Sequence, residues 1–453
     1  MDAFAFARAN RPRFLGELEE FLRIPSVSTQ PEHQPDMLDA ANWLRDQLLA
    51  VGFPRAEILP TAGHPIVFAE WSCRRPAAPT VLLYGHYDVQ PADPLELWRT
   101  PPFEPVVVGD DLYARGASDD KGQLLAQIKA VESLSATAGE PPVSIRCLFE
   151  GEEESGSEHL DDFVTANRSI LQADVALISD SSILSKDQPS IIYAVRGITY
   201  VEVEVTGPAG DLHSGRYGGA VHNPIHALAE MIAGLHDSQG RITIPGFYDR
   251  VQVLTPAERA GLARLPFDRH AWLREAGITT DWGEPEYSIV ERTTARPTLD
   301  VNGIWGGYTQ PGAKTVLPSK AFAKISMRLV PQQDPAEISR LIQDHFQAIA
   351  PPAVTVQVRE LHHGQGAIVP LDSPAIQAAA RAYAESFGAE PLFVREGGSL
   401  PVVATLRREL GIDSILMGFG LPDDNLHAPN EKLHLPNYFR GIDTVIRFLS
   451  YLA

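Results

Sequence analysis

The sequence predicts an α/β domain with a mostly parallel central sheet covered by helices, into which an α+β domain with an antiparallel sheet is inserted. Three observations carry that prediction. Short, nearly continuous apolar runs recur at residues 80–84 (TVLLY), 143–149 (VSIRCLF), 174–178 (DVALI) and 414–417 (SILM), and strands of this kind belong to sheets buried on both faces. Helical periodicity lies between them, around residues 37–49 and 123–134, giving the alternation of an α/β layer architecture. After Arg196 the pattern switches to period two, with Val201, Val203 and Val205 alternating with Glu202 and Glu204, as expected of a strand with one wet face.

Taken in chain order, residues 1–196 supply the first part of the α/β domain, and residues 197–366 form the insertion. The period-two pattern returns where Ile325, Met327 and Leu329 interleave with Lys324, Ser326 and Arg328, and again at Val354, Val356 and Val358. Between these strands two helices open on a capping residue followed by proline, Asn223-Pro224 and Asp334-Pro335, the start signal of a helix. Residues 367–453 then return to the first pattern and complete the first domain. Residues 241–297 give mixed signals and no single periodicity. At 453 residues the chain is about twice the size at which one core stops growing, which agrees with two domains.

Composition limits the partners. There are 58 acidic against 38 basic residues, a formal net charge of -20, with no basic patch to draw in phosphate backbones or acidic membrane surfaces. Neither nucleic acid nor membrane is expected as a partner. The only cysteines, Cys73 and Cys147, have no C-x-x-C spacing, so neither a disulfide scaffold nor a thiolate zinc site is indicated. The N-terminus lacks the apolar core of a signal peptide and no stretch reaches the ~18 apolar residues of a membrane span. A soluble, cytoplasmic protein is expected.

Candidate chemistry clusters where the apolar strands end. His86 and Asp88 follow TVLLY in YGHYD, and Asp119 and Asp120 lie in RGASDDKG ahead of a helix. Glu152, Glu153 and Glu154 follow VSIRCLF, Asp180 follows DVALI, and His427 lies beyond SILM in DDNLHAPNE. Ligands of open α/β sheets bind outside the carboxyl ends of the strands, so these loops should converge. Two imidazoles with several carboxylates suit zinc, manganese or cobalt. Five ligands with one shared carboxylate satisfy two ions at the roughly 3.5–4 Å spacing of two-metal sites. Asp88 is close enough in sequence to orient His86. Adjacent glutamates can face one site only if the chain leaves extended geometry, and Ser155-Gly156-Ser157 offers the turn. Each feature alone has a plainer reading: a glutamate run is usually a solvated surface, and an Asp pair before a helix is usually an N-cap.

The motifs YGHYDVQP, RGASDDKG, EGEEESGSEHL, SDSS, DLHSGRYGG, REGGSLPV and LPDDNLHAPNEKL together resemble the M20 family of di-zinc metallopeptidases, most closely its cytosolic dipeptidase branch, which includes the carnosine dipeptidases. The resemblance runs from about Glu17 to the C-terminus. It implies that His86 and Asp180 bind one metal, Glu154 and His427 the other, and that Asp119 bridges them, with a cis peptide after Asp119. It implies Glu153 as general base and Asp88 as the group orienting His86. The inserted domain is then similar to the family's lid and dimerisation domain. By the same resemblance His213 reaches the partner subunit's site to stabilise the oxyanion, Arg328 grips the substrate's terminal carboxylate, and Gly398 and Ser399 belong to a loop contacting that carboxylate. Asn302 matches a lid segment near the substrate without a defined role.

The expected function is metal-dependent hydrolysis of dipeptides or short peptides by a homodimer with two divalent ions per chain, zinc before manganese or cobalt. Nothing in the sequence offers a serine-nucleophile elbow, an H-E-x-x-H helix or a phosphate loop. Two rivals stand beside it. An amidohydrolase removing an acyl or carbamoyl group from an amino acid would keep the chemistry and Arg328. A non-catalytic scaffold should have lost a ligand or the base, and all are present.

Overall fold

The computed structural model of the protein describes residues 2–398 and 400–453. It contains two compact units: one of Met1–Tyr193, Val369–Val394 and Pro401–Ala453, the other of Ala194–Ile368 with Arg395–Leu400.

In the first unit the sheet runs in the order Arg55–Leu59, Ile66–Trp71, Ser144–Glu150, Thr80–His86, Val175–Ile178, Asp413–Leu416, Ser190–Val195. The central strands Ser144–Glu150, Thr80–His86, Val175–Ile178 and Asp413–Leu416 are parallel, and the flanking pairings are antiparallel. After Thr80 every residue of Thr80–His86 is buried. Side chains alternate faces along a strand, so both faces are covered. The helix Lys121–Ala138 packs on this strand and on the terminal helix Leu435–Leu452, while Gln34–Val51 packs on the antiparallel edge. Register then places the functional loops: His86 lies opposite Glu150, and Tyr84, Ile178 and Leu416 form one row. The segments after these strands therefore leave from one edge of the sheet.

The second unit contains an antiparallel sheet in the order Thr298–Gly306, Lys320–Leu329, Gly197–Thr206, Thr355–Gly364. Burial alternates strictly along Gly197–Thr206 and Lys320–Leu329. Val201, Val203, Val205, Ile325, Met327 and Leu329 pack with Leu228, Met231, Ile342 and Phe346 of the helices Pro224–Ala233 and Pro335–Ile349. Burial of each such large side chain contributes about 1.5–3 kcal/mol. Asn223 and Asp334 cap these helices through their side chains, as the sequence pattern requires. Residues 241–297 hold three short helices, Pro256–Leu262, Arg269–Glu275 and Ile289–Thr294, of which the first and third open on capping boxes, Thr255/Glu258 and Ser288/Glu291. Their periodicity is unreadable because each helix is barely two turns long. Asn302 is the residue skipped by a register shift between Val301 and Gly303. No helix among the described residues is long and apolar enough to cross a membrane.

Candidate metal centre

His86 ends its buried strand, so the strand itself aims the ring past the sheet edge. Gly85 before it is needed for close approach: a Cβ there would lie 2.7 Å from Asp120 Oδ2. Asp119 precedes the helix Lys121–Ala138, and the Asp119–Asp120 peptide is cis. Asp120 was the candidate cap of that helix, but its side chain makes no capping bond; its Oδ2 accepts from the backbone N–H of His86 at 3.2 Å. Burial raises its carboxyl well above the ordinary range.

After Ser144–Glu150 the chain leaves extended geometry in a 3₁₀ turn, Glu153–Ser155. The turn separates the three glutamates. Glu152 faces away, accepting from His64 N–H at 3.0 Å and approaching His159 Nδ1 at 2.9 Å. Asp88 braces the turn: its carboxylate accepts from Glu153 N–H (3.3 Å), Glu154 N–H (3.1 Å) and Ser28 Oγ (2.7 Å). Its nearest contact with His86 Nδ1 is through its backbone carbonyl at 3.1 Å, the carboxylate lying at 3.4 Å. A carbonyl can only accept, so in neutral His86 the hydrogen sits on Nδ1 and the lone pair on Nε2.

His86 Nε2 lies 3.1 Å from Asp119 Oδ1 and 3.6 Å from Asp180 Oδ2. On the other side His427 Nε2 lies 2.9 Å from Asp119 Oδ2 and 3.3 Å from Glu154 Oε2. Thus His86, Asp119 and Asp180 form one group, Asp119, Glu154 and His427 another, each with its ligand atoms within 4.8 Å of one another. Two ligands on one tetrahedral ion at bond lengths of about 2.0–2.1 Å stand roughly 3.3 Å apart. The donor separations fit that requirement, and the nitrogen–oxygen donor set fits zinc, manganese or cobalt. Asp119 turns one oxygen to each imidazole, as a shared ligand must.

Electrostatics point the same way. Burial raises Asp180 well above the usual carboxylate range, and Asp119 beside it adds to the rise. Burial raises Glu153 to about 7, with His86 pulling it down and Glu154, Asp119 and Asp88 pushing it further up. Hydrogen bonds to Asp119 and then Glu154 push His427 up to about 10. Burial pulls His86 down, but its bonds to Asp119 and Asp88 win and raise it. The carboxylates crowd one another, which pushes Asp180 and Glu153 up and draws the imidazoles up with them, a surplus of negative charge that bound cations would relieve.

A family model described as peptidase family M20/M25/M40 matches residues 82–451, a stretch containing every member of both groups. The chain belongs to peptidase family M20/M25/M40. Among relatives of this M20 peptidase, the Cys-Gly metallodipeptidase DUG1 of Candida albicans is 34% identical, covering 97% of this chain and 95% of its own. The Beta-Ala-His dipeptidase of Homo sapiens is 31% identical over 99% of this chain and 92% of its own. The solved structure of an M20 family metallo-carboxypeptidase, Sso-CP2, from Sulfolobus solfataricus is 33% identical with a TM-score of 0.83, covering 97% of this chain and 99% of its own.

The remaining predicted residues of this M20 peptidase lie in the second unit, except Ser399, which falls outside the described residues. His213 is exposed, its Nδ1 accepting from Gly215 N–H at 3.1 Å. Arg328 stands opposite Thr298 and Ile198 on the sheet's polar face. Gly398 N–H donates to Glu396 Oε1 at 3.3 Å. A residue that sequence reasoning missed sits beside them. Buried Arg196 donates through Nε to the Gly397 carbonyl at 2.9 Å, and burial, with Arg328 next to it, lowers its guanidinium to about 10. Two more were missed in the first unit. Gln90 donates to Glu154 Oε2 at 2.7 Å, and buried Glu431 accepts from the backbone of Asp119 at 3.1 Å. Gln90 stands within YGHYDVQP and Glu431 within HAPNEKL, so proximity to a candidate ligand was the available signal.

Proposed function

We propose that the protein hydrolyses the peptide bond of dipeptides or short peptides using two divalent ions, zinc first among the candidates. One observation carries this reading: Asp119 presents one carboxylate oxygen to His86 and the other to His427, within two groups of metal-competent donors. His86, Asp119 and Asp180 would hold one ion, and Asp119, Glu154 and His427 the other. When bound, the ions supply Lewis-acid polarisation of the scissile carbonyl and lower the pKa of water toward about 7.

Glu153 takes the proton of the attacking water and delivers it to the leaving amine, so the C–O bond forms and the C–N bond breaks without a covalent enzyme intermediate. Its place in the turn beside Glu154, close to His86 and Asp119, supports that role, since a general base must lie within reach of the water it deprotonates. Asp88 fixes both the His86 ring and the Glu153–Glu154 turn. His213 donates to the oxyanion, contributed in trans by a partner subunit of a homodimer. Arg328, with the backbone of Gly398 and the Ser399 loop, holds the substrate's terminal carboxylate by charge-assisted hydrogen bonds. Residues 197–366 serve as lid and dimerisation domain on a catalytic domain of residues 1–196 and 367–453, and the protein works in the cytoplasm. The dipeptidase names of relatives that match nearly the full chain support dipeptides as the substrate class.

The test is hydrolysis by the metal-reconstituted protein over a panel of free dipeptides, dipeptides blocked at either end, and N-acyl amino acids. Free dipeptides should be cleaved fastest and C-terminal amides slowed most. Preference for N-acyl or N-carbamoyl amino acids would replace this reading with an amidohydrolase.

A further inference from the structure

Glu431 is fully buried and carries more hydrogen bonds than a structural ion pair needs. Its Oε1 accepts from the backbone N–H groups of Ser118 at 3.0 Å and Asp119 at 3.1 Å. Its Oε2 accepts from Gly116 N–H at 2.9 Å and from Arg115 Nη1 at 2.8 Å. A carboxylate offers about four lone-pair directions, so this one is saturated and has none left for an ion. Arg115, also buried, balances the charge and donates its Nη2 to the Pro91 carbonyl at 3.1 Å. A buried pair of this kind adds little net stability, because desolvation offsets the attraction. Its placement is the informative feature.

Glu431 follows His427 by four residues in the same loop, and that loop grips the Asp119 segment a second time. Asp424 Oδ2 accepts from Ser118 Oγ at 2.9 Å while its Oδ1 pairs with Lys432 Nζ at 3.1 Å. The loops bearing Asp119 and His427 are thus tied together through buried groups that are not themselves metal donors. Gln90 differs, since its amide donates to Glu154, a member of one donor group.

We propose that Glu431 is the positioning residue of the centre: it fixes the Asp119 backbone so that one carboxylate oxygen faces each imidazole before any ion arrives. The inference rests on the two-ion reading above. It predicts that disturbing Glu431 weakens both ions together, because Asp119 belongs to both groups, whereas disturbing Gln90 weakens one. A glutamine at 431 keeps one acceptor oxygen but turns an NH₂ group on the other pair of donors.

The experiment measures zinc stoichiometry and affinity by chelator competition on the full-length protein, with the visible spectrum of the cobalt-loaded form as a second readout. Glu431→Gln should bind both ions about 10–100-fold more weakly with an altered cobalt spectrum. Glu431→Asp, which keeps the charge beside Arg115, should fold and shift both affinities in the same direction by less. Gln90→Leu should weaken one ion only. Lys129→Met, which breaks a buried cluster with Glu17 and Glu132, should lower the melting temperature and leave both affinities intact. Wild-type affinities in both Glu431 variants, loss of only one ion, or the same loss in Lys129→Met would overturn the proposal. Fewer than two ions in the wild-type protein would instead overturn the two-ion reading and this inference with it.

Discussion

The two units build sheets of opposite kind, and their polar residues are distributed accordingly. In the first, parallel strands buried on both faces leave charged groups little room along their length, Arg146 paired with Glu70 at 3.6 Å being an exception, and His86, Asp119, Glu153, Glu154, Asp180 and His427 gather beyond one edge. In the second, an antiparallel sheet keeps one polar face, and its charges spread along it in pairs such as Glu202 with Arg359 at 2.9 Å and Glu204 with Lys320. Exposed pairs of this sort are worth about 0–1 kcal/mol each. Double burial concentrates charge at strand ends, where mutual repulsion and desolvation make it reactive; single burial disperses it into solvated pairs.

That contrast can be broken by experiment. The largest expected effect is in the first unit: Glu153→Ala should lower turnover by about 10²–10⁴-fold while melting temperature and ion content stay near wild type. Near-normal kcat would remove Glu153 from the base role. Next comes a buried bidentate pair in the second unit, Arg296 with Glu284 at 2.5 and 2.8 Å. Glu284→Gln should destabilise by about 3–5 kcal/mol in chemical denaturation, with ion content unchanged. Loss of ions in that variant would show that the units do not divide chemistry from packing. The smallest effect is Ser288→Ala, which removes one half of a capping box and should cost about 0.5–2 kcal/mol with no change in ion affinity.

The same contrast explains what was legible. His86, Asp180 and Glu154 stand at or just past the ends of nearly continuous apolar runs, so sheet topology alone predicts that they meet; the resemblance to the M20 family then implies their roles. The sequence spacing predicts that Asp88 orients His86, and its carboxylate also braces the glutamate turn, a backbone contact that side-chain pattern cannot announce. Asp120 looked like a cap because an acid before a helix usually is one, and only the fold shows its oxygen turned to the His86 backbone. For Glu431 the sequence offers only its nearness to His427, because among its four donors three are backbone N–H groups that carry no residue identity. In the second unit the alternating strands were readable from Val201 to Val205, whereas residues 241–297 were not, although T-P-A-E at 255–258 and S-I-V-E at 288–291 are capping-box sequences.

A shared Asp119 would make both ions depend on one side chain. The direct measurement is metal content per chain of wild-type and Asp119→Ala proteins after zinc reconstitution and dialysis. Sharing predicts two ions in the wild type and fewer than one in the variant, because both donor groups lose a member at once. A variant that keeps one ion at full occupancy, or both, would contradict it.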